Sequence, residues 1–159
     1  MEVATPFAGQ QLVGFVAEGG MLLAVVWSAA NNLLQLWRWD ERGEWAVWFS
    51  QPAGAVLPQV AVSGEEALVG LGSFVYRWTE KGWQRQRVAS VEAPVTAVCA
   101  LPDGGWLAAV TDALRQSADG LSWVPVETGL SGESVVSLLV VNGQLVAGTA
   151  EGKVWVGTE

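Results

Sequence analysis

Aromatic and basic side chains alternate at two places in the chain, and this arrangement is the one that most suggests a binding site. Trp37-Arg38-Trp39 is followed by Tyr76-Arg77-Trp78 after 39 positions (76 − 37). Flat aromatic faces beside guanidinium groups could hold a sugar ring. In an extended strand, however, Trp37 and Trp39 share one face and Arg38 points to the other. The same residues therefore also suit burial on both faces, with the arginine stem packed outward.

Trp155 is a further candidate for the same role, because it lies in the matching stretch near the C terminus. Gln116 and Val156 stand where the two earlier copies carry arginine. A carbohydrate site built from tryptophan and arginine would therefore not recur along the whole chain.

Adjacent carboxylates occur at Asp40-Glu41 and Glu65-Glu66 and could suggest glycoside hydrolysis, which needs two facing acids. Neighbouring residues in exposed turns point apart, and no arginine cluster accompanies them. The chain also has no histidine, the commonest general base. We therefore predict that the protein is not an enzyme and has no catalytic residues.

The overall charge excludes several kinds of partner. Eight basic residues stand against 16 acidic ones, which gives a net charge of −8 and a pI near 4.4. Nucleic acids and anionic membranes attract basic surfaces, so neither is an expected partner. With no histidine and only Cys99, we expect no metal, disulfide or cofactor site.

The N terminus shows no basic region followed by an apolar one, so no signal peptide is visible and a cytoplasmic location is predicted. The longest apolar runs are about the length of a strand. A membrane helix needs about 20 apolar residues. No membrane association is therefore expected.

An apolar stretch recurs every 39 or 40 positions, beginning at Leu36, Val75, Leu114 and Val154. Around each copy, short runs rich in valine, leucine and tryptophan alternate with glycine-containing turns, a pattern typical of β-strands. Asn142-Gly143 is the strongest hairpin signal, since a type I′ turn needs positive φ at both central residues. The sequence thus predicts an all-β chain of consecutive antiparallel strands.

Repeats of about 40 residues with four strands each indicate a β-propeller. We predict one domain, residues 1–159, with four blades at about 11–50, 55–89, 94–127 and 134–157. Small residues in the second strands, among them Gly70 and Ala109, suggest that neighbouring sheets approach closely.

The fourth repeat ends before its outer strand, and the N terminus offers a replacement. Residues 3–13 match residues 126–136 at a constant offset of 123 (126 − 3). We expect residues 2–5 to complete the last blade, which would protect a sheet edge. Four blades could then form a four-bladed ring or half of an eight-bladed dimeric ring.

Residues 117–123 read Ser-Ala-Asp-Gly-Leu-Ser-Trp, and this stretch resembles the Asp-box of sialidase-like propellers. In that family the aspartate pins a turn between the third and fourth strands of a blade, and the tryptophan wedges against the sheet. The resemblance implies that Ser117, Asp119, Gly120 and Trp123 are structural. Asp119 could otherwise be a calcium ligand or an acid, but an aspartate in a tight turn usually accepts backbone N–H bonds. The family includes hydrolases, lectins and scaffolds, so the motif implies a blade and no particular activity.

Together these features favour a non-catalytic interaction module that binds a protein partner or a second copy of itself, as a homodimer. A carbohydrate-binding lectin that uses the Trp and Arg residues is the alternative. A sialidase-like hydrolase comes third, because it would need convergent carboxylates.

Overall fold

The computed structural model describes residues 4–18, 20–53, 58–89, 92–111, 113–127, 130 and 132–158. Over these ranges the chain consists of strands and turns, and it contains no helix that could cross a membrane. The strands are β1 Gln11–Glu18, β2 Met21–Ser28, β3 Leu33–Trp39, β4 Trp45–Pro52, β5 Gln59–Ser63, β6 Glu66–Leu71, β7 Phe74–Thr79, β8 Gly82–Arg87, β9 Val95–Ala100, β10 Trp106–Val110, β11 Ala113–Ser117, β12 Val124–Val126, β13 Val135–Val141, β14 Gln144–Thr149 and β15 Val154–Thr158.

The strands form four antiparallel meanders in which each strand pairs with its neighbour in sequence. We call them sheets A (β1 to β4), B (β5 to β8), C (β9 to β12) and D (β13 to β15). The predicted all-β architecture with one sheet per repeat is therefore confirmed. Sheet D has three strands in the described part of the chain. The expected N-terminal strand lies largely outside that part, which begins at Ala4.

Turn chemistry explains why the strands reverse where they do. Asn142 and Gly143 join β13 to β14 with φ of 51° and 76°, the positive values that the predicted tight turn requires. Residues 29–32 form the turn between β2 and β3. Asn32 closes its turn by accepting from Trp27 Nε1 at 3.3 Å through Oδ1 and donating to the carbonyl of Ala53 at 3.0 Å.

The chain divides into two compact units, Met1–Ala55 and Val56–Glu159. The first contains sheet A, whose strand β2 supplies fully buried residues such as Leu23 and Val26. One face of this sheet is partly covered by Phe7, which packs with Ala24 and Val26. That the two units make a single domain stays a prediction.

The second unit contains sheets B, C and D, and β9 contacts both β5 and β13. One face of sheet C packs on sheet B through Trp106 and Val98, together with Leu68. The opposite face packs on sheet D through Leu107 and Ala147. Sheet C is thus buried on both faces, whereas sheet D is covered on one face within this unit.

Candidate functional site

The turn between β11 and β12 is held by the side chains of its own residues. Asp119 Oδ1 accepts hydrogen bonds from the backbone N–H groups of Leu121 at 2.9 Å and Ser122 at 2.8 Å. Ser117 Oγ donates to the same carboxylate oxygen at 3.0 Å and accepts from Gly120 N at 2.8 Å. These bonds to Ser122 and Leu121, with the Ser117 bond, lower the pKa of Asp119 below 3.8. The carboxylate is therefore bonded within the turn and is ionised at neutral pH.

Arg77 ties this turn to the neighbouring sheet. It is buried on β7, where its guanidinium forms an ion pair with Glu66 at 3.0 Å. Its Nε donates to the carbonyl of Asp119 at 3.2 Å, and the guanidinium stacks 5.0 Å from the ring of Trp106. Sheets B and C are thus joined by one arginine that the sequence had suggested as a ligand-binding group.

The aspartates of two other turns have similar local partners. Asp40 Oδ1 accepts from Arg42 N at 2.8 Å and Glu44 N at 2.9 Å. Asp103 Oδ1 accepts from Gly105 N at 3.1 Å. These carboxylates serve their own turns. Within the described ranges no three His, Cys, Asp or Glu side chains come together to hold a metal ion.

One face of sheet A carries an aromatic cluster. Trp37 pairs with Val47 across β3 and β4, and Trp39 pairs with Trp45, so all four side chains share this face. Arg38 points to the opposite face, as predicted, and lies 5.1 Å from the ring of Trp48. We call the following residues the aromatic face: Phe7, Leu12, Phe15, Trp37, Trp39, Trp45 and Val47.

The rings of the aromatic face contact one another, and Trp45 meets Trp39 and Phe7 edge to face. Trp45 lies 5.0 Å from Trp39 and 5.3 Å from Phe7, measured between ring centroids. Phe7 also lies 5.7 Å from Trp37. Even so, Phe15 is 57% exposed and Trp39 is 37% exposed. The cluster therefore presents aromatic surface to solvent.

The remaining candidates are in the second unit and do not converge. Tyr76 and Trp78 are half-buried on β7, and Trp78 packs on Trp83 at 5.3 Å. Trp155 is on β15 in sheet D, with sheet C between sheets B and D. Trp123 packs against the core between sheets B and C. Within the second unit, sheet C therefore separates Tyr76 and Trp78 on sheet B from Trp155 on sheet D.

Sheet D has an apolar face that the sequence prediction did not single out. The pairings of Leu139 with Val146 and of Val146 with Val156 place these three side chains on the face opposite the sheet C contact. Val154 and Val156 are 71% and 61% exposed, and Leu139 is 58% exposed. We call Leu139, Val141, Val154 and Val156 the valine face. The sequence feature that could have indicated the valine face is that apolar residues in β13 and β15 do not alternate with polar ones. Such a pattern is typical of strands covered on both faces.

No protein-family model matches the chain, and no curated protein matches it. Similar solved structures include the computationally designed Ika4 protein, with 12% identity, 98% of this chain and 95% of that chain covered, and a TM-score of 0.64. A catalytically inactive virginiamycin B lyase from Staphylococcus aureus with quinupristin is similar at 11% identity over 97% of this chain, with a TM-score of 0.58. BamB from Moraxella catarrhalis is similar at 14% identity over 92% of this chain, with a TM-score of 0.65.

The chain spans 57% of the lyase and 43% of BamB, about half the length of each. Both of these proteins are propellers. At sequence identities this low, the similarity is evidence for the fold and not for a shared function. The four antiparallel meanders and these structural similarities identify the fold as a β-propeller.

Proposed function

We propose that the protein is a non-catalytic β-propeller module that binds protein through its uncovered sheet faces. The observation that carries this proposal is the pair of exposed apolar surfaces, the aromatic face and the valine face. Soluble monomers rarely expose contiguous apolar patches beyond a few hundred Å² unless the patch is an interaction site. The carboxylates of Asp40 and Asp119 accept hydrogen bonds from the backbone of their own turns, and this structural use of the acids agrees with a non-catalytic module.

The turn at residues 117–123 supports placing the protein among propellers with Asp-box blades. Its aspartate accepts two backbone N–H bonds and its serine closes the loop, as the resemblance implies. Such propellers serve different activities, so this assignment describes the blade and leaves the partner to the sheet faces.

Site-directed photo-crosslinking tests the proposal. A benzophenone amino acid is introduced at Phe15 on the aromatic face or at Val156 on the valine face, and the protein is irradiated in an extract of its source cells. Val124 is the control position, since it is 60% exposed on β12 but belongs to neither face. We expect protein adducts from the two faces, with this chain or with another, and none from Val124. Absence of adducts at both faces would contradict the proposal.

Carbohydrate binding is the second candidate, and the exposed ring of Trp39 favours it, because aromatic faces stack on sugars. Binding at this face would change the emission of the cluster. A glycan array followed by titration of tryptophan fluorescence tests it, with Trp39→Leu as the variant expected to lose binding. A glycan array on which the protein binds nothing would rule out carbohydrate binding.

A further inference from the structure

We propose that the partner is a second copy of this chain, and that the aromatic face of one copy packs on the valine face of the other. Two such contacts, related by a two-fold axis, would form a closed dimer. This inference rests on the proposed function and adds the identity of the partner and the surfaces used.

The second unit shows how the repeats of this chain cover their faces. Sheets B and C, and sheets C and D, pack face to face through buried aliphatic and small residues. The next face in that series is the valine face, which stays exposed. In a repeat protein whose terminal repeats face solvent, the outer faces of those repeats must be polar for the protein to be soluble. An apolar outer face instead favours continued stacking of the same kind.

The chemistry of the two faces is complementary. The aromatic face offers flat rings and the valine face offers branched aliphatic side chains, a combination that pairs well between strands. Ser137 and Gln144, which lie on the same face of sheet D as the valine face, carry no charge. Contacting cores of interfaces are likewise depleted of charged residues. The net charge of −8 makes two copies repel one another, and a contact that excludes the acids keeps this repulsion weak.

The area is sufficient for a stable dimer. The eight most exposed side chains of the two faces are between 37% and 71% exposed. A free aromatic residue offers on the order of 150–250 Å², and free valine and leucine residues, counted with their backbone, lie near the lower end of that range. At about half exposure the two faces then present roughly 600–800 Å² per chain, close to the ~800 Å² that each partner contributes to a standard interface. These eight residues are Leu12, Phe15, Trp39, Val47, Leu139, Val141, Val154 and Val156.

Pairing unlike faces gives a closed dimer only if the rotation between copies closes; otherwise it gives open filaments. Two chains supply eight sheets, within the four to eight blades of ordinary propellers. Of the two assemblies expected from the repeats, a four-bladed ring and an eight-bladed dimeric ring, this contact is therefore consistent with the eight-bladed one.

Solution mass tests the inference directly. Light scattering is expected to give about 33.6 kDa, twice the 16.8 kDa of the chain (2 × 16.8). Phe15→Asp and Val156→Asp each place a charge in the contact and should weaken dimerisation at least about 30-fold. Val124→Asp introduces the same charge on an exposed strand residue outside the faces and should leave the dimer intact. Far-ultraviolet circular dichroism checks folding, and Val154→Thr replaces Val156→Asp if that variant is misfolded.

Mixing the two charged variants distinguishes unlike from like pairing. One contact of a mixed dimer keeps both native faces, so an equimolar mixture should dimerise more tightly than either variant alone. If each face paired with its own kind instead, Val156→Asp would leave the aromatic contact intact and the mixture would gain nothing.

A monomeric wild type, a Val156→Asp variant that dimerises like the wild type, or masses that grow beyond two chains with concentration would each overturn the inference. The photo-crosslinking experiment described above distinguishes failure of the self-association from failure of the proposed function. A monomer whose faces crosslink to another protein keeps the function and loses the self-association.

Discussion

At the scale of single residues, Arg77 and Gly120 decide how the turn of the third repeat meets the neighbouring sheet. Gly120 has a φ of +76°, and a Cβ at this position would lie 2.6 Å from Cδ of Arg77. Arg77 is held in turn by Glu66 and by the carbonyl of Asp119. The glycine is therefore required both by backbone conformation and by the close approach of the arginine.

Gly120→Ala separates these two requirements when it is compared with Gly152→Ala. Gly152 has a similar φ of +80°, but no atom lies within 4 Å of its added Cβ. We expect Gly152→Ala to cost about 1 kcal/mol for the backbone alone. Gly120→Ala should cost about 2–4 kcal/mol, because Arg77 must also move. Urea denaturation of both variants measures the difference, and equal losses would show that the arginine contact is unimportant.

The pH dependence of stability should carry a contribution from Asp119. Its pKa in the folded protein is lowered from 3.8 mainly by hydrogen bonds from Ser122 and Leu121. This stabilisation is present above the unfolded pKa and is lost as the pH falls through the lower folded pKa.

Asp119→Asn keeps an acceptor oxygen but cannot titrate. Between about pH 4 and pH 2, the free energy of unfolding should therefore fall less steeply for the variant than for the wild type. The effect is small because Asp119 is exposed to solvent. Denaturant unfolding at several pH values measures it, and parallel curves would mean that the carboxylate contributes nothing through ionisation.

At the scale of elements, the close approach of sheets B and C depends on small residues in the second strands. A Cβ added to Gly70 on β6 would lie 2.8 Å from Cγ1 of Val95 on β9. Ala108 and Ala109 on β10 are fully buried between sheets. The sequence-based expectation of close sheets at these positions agrees with this packing.

Gly70→Val should therefore destabilise the second unit by about 2–3 kcal/mol, since the added methyl groups overlap Val95. Gly157→Ala on β15 is the control, because nothing lies within 4 Å of its added Cβ. That change should be neutral or slightly stabilising. Thermal melts compare the two, and a Gly70 variant as stable as the wild type would contradict the close packing.

At the scale of the whole molecule, net charge and apolar surface act in opposite directions on association. The charge of −8 repels a second copy, whereas the aromatic and valine faces attract one. Salt screens the repulsion and leaves apolar burial intact.

Raising the salt concentration from 50 to 500 mM should thus tighten the wild-type dimer several-fold, as measured by sedimentation equilibrium. The melting temperature should also rise with chain concentration, since association stabilises the folded state. Val156→Asp should show neither effect. A dimer that salt weakens would indicate a contact made by ion pairs instead.

Much of the architecture could be predicted because its causes are local. The Asn142-Gly143 turn, the 39-residue spacing and the apolar runs set where strands begin and end, and nearest-neighbour pairing follows from short connections. The site could be predicted less well. Arg77 was named as a candidate ligand-binding group, yet its ion pair with Glu66 and its contact with Asp119 join two sheets. That contact spans 42 positions, which no local pattern encodes.

By itself, then, the sequence determined the order and pairing of strands β1 to β15 and the chemistry of the turns, including the carboxylate of Asp119. The expected N-terminal strand at residues 2–5 stays a prediction. Only the tertiary structure decided which sheet faces are covered. The reason is physical: alternation along a strand assigns side chains to faces, but burial depends on sheets that are distant in the chain. Phe15 and Val156 are apolar residues within strands, and packing leaves them at the surface.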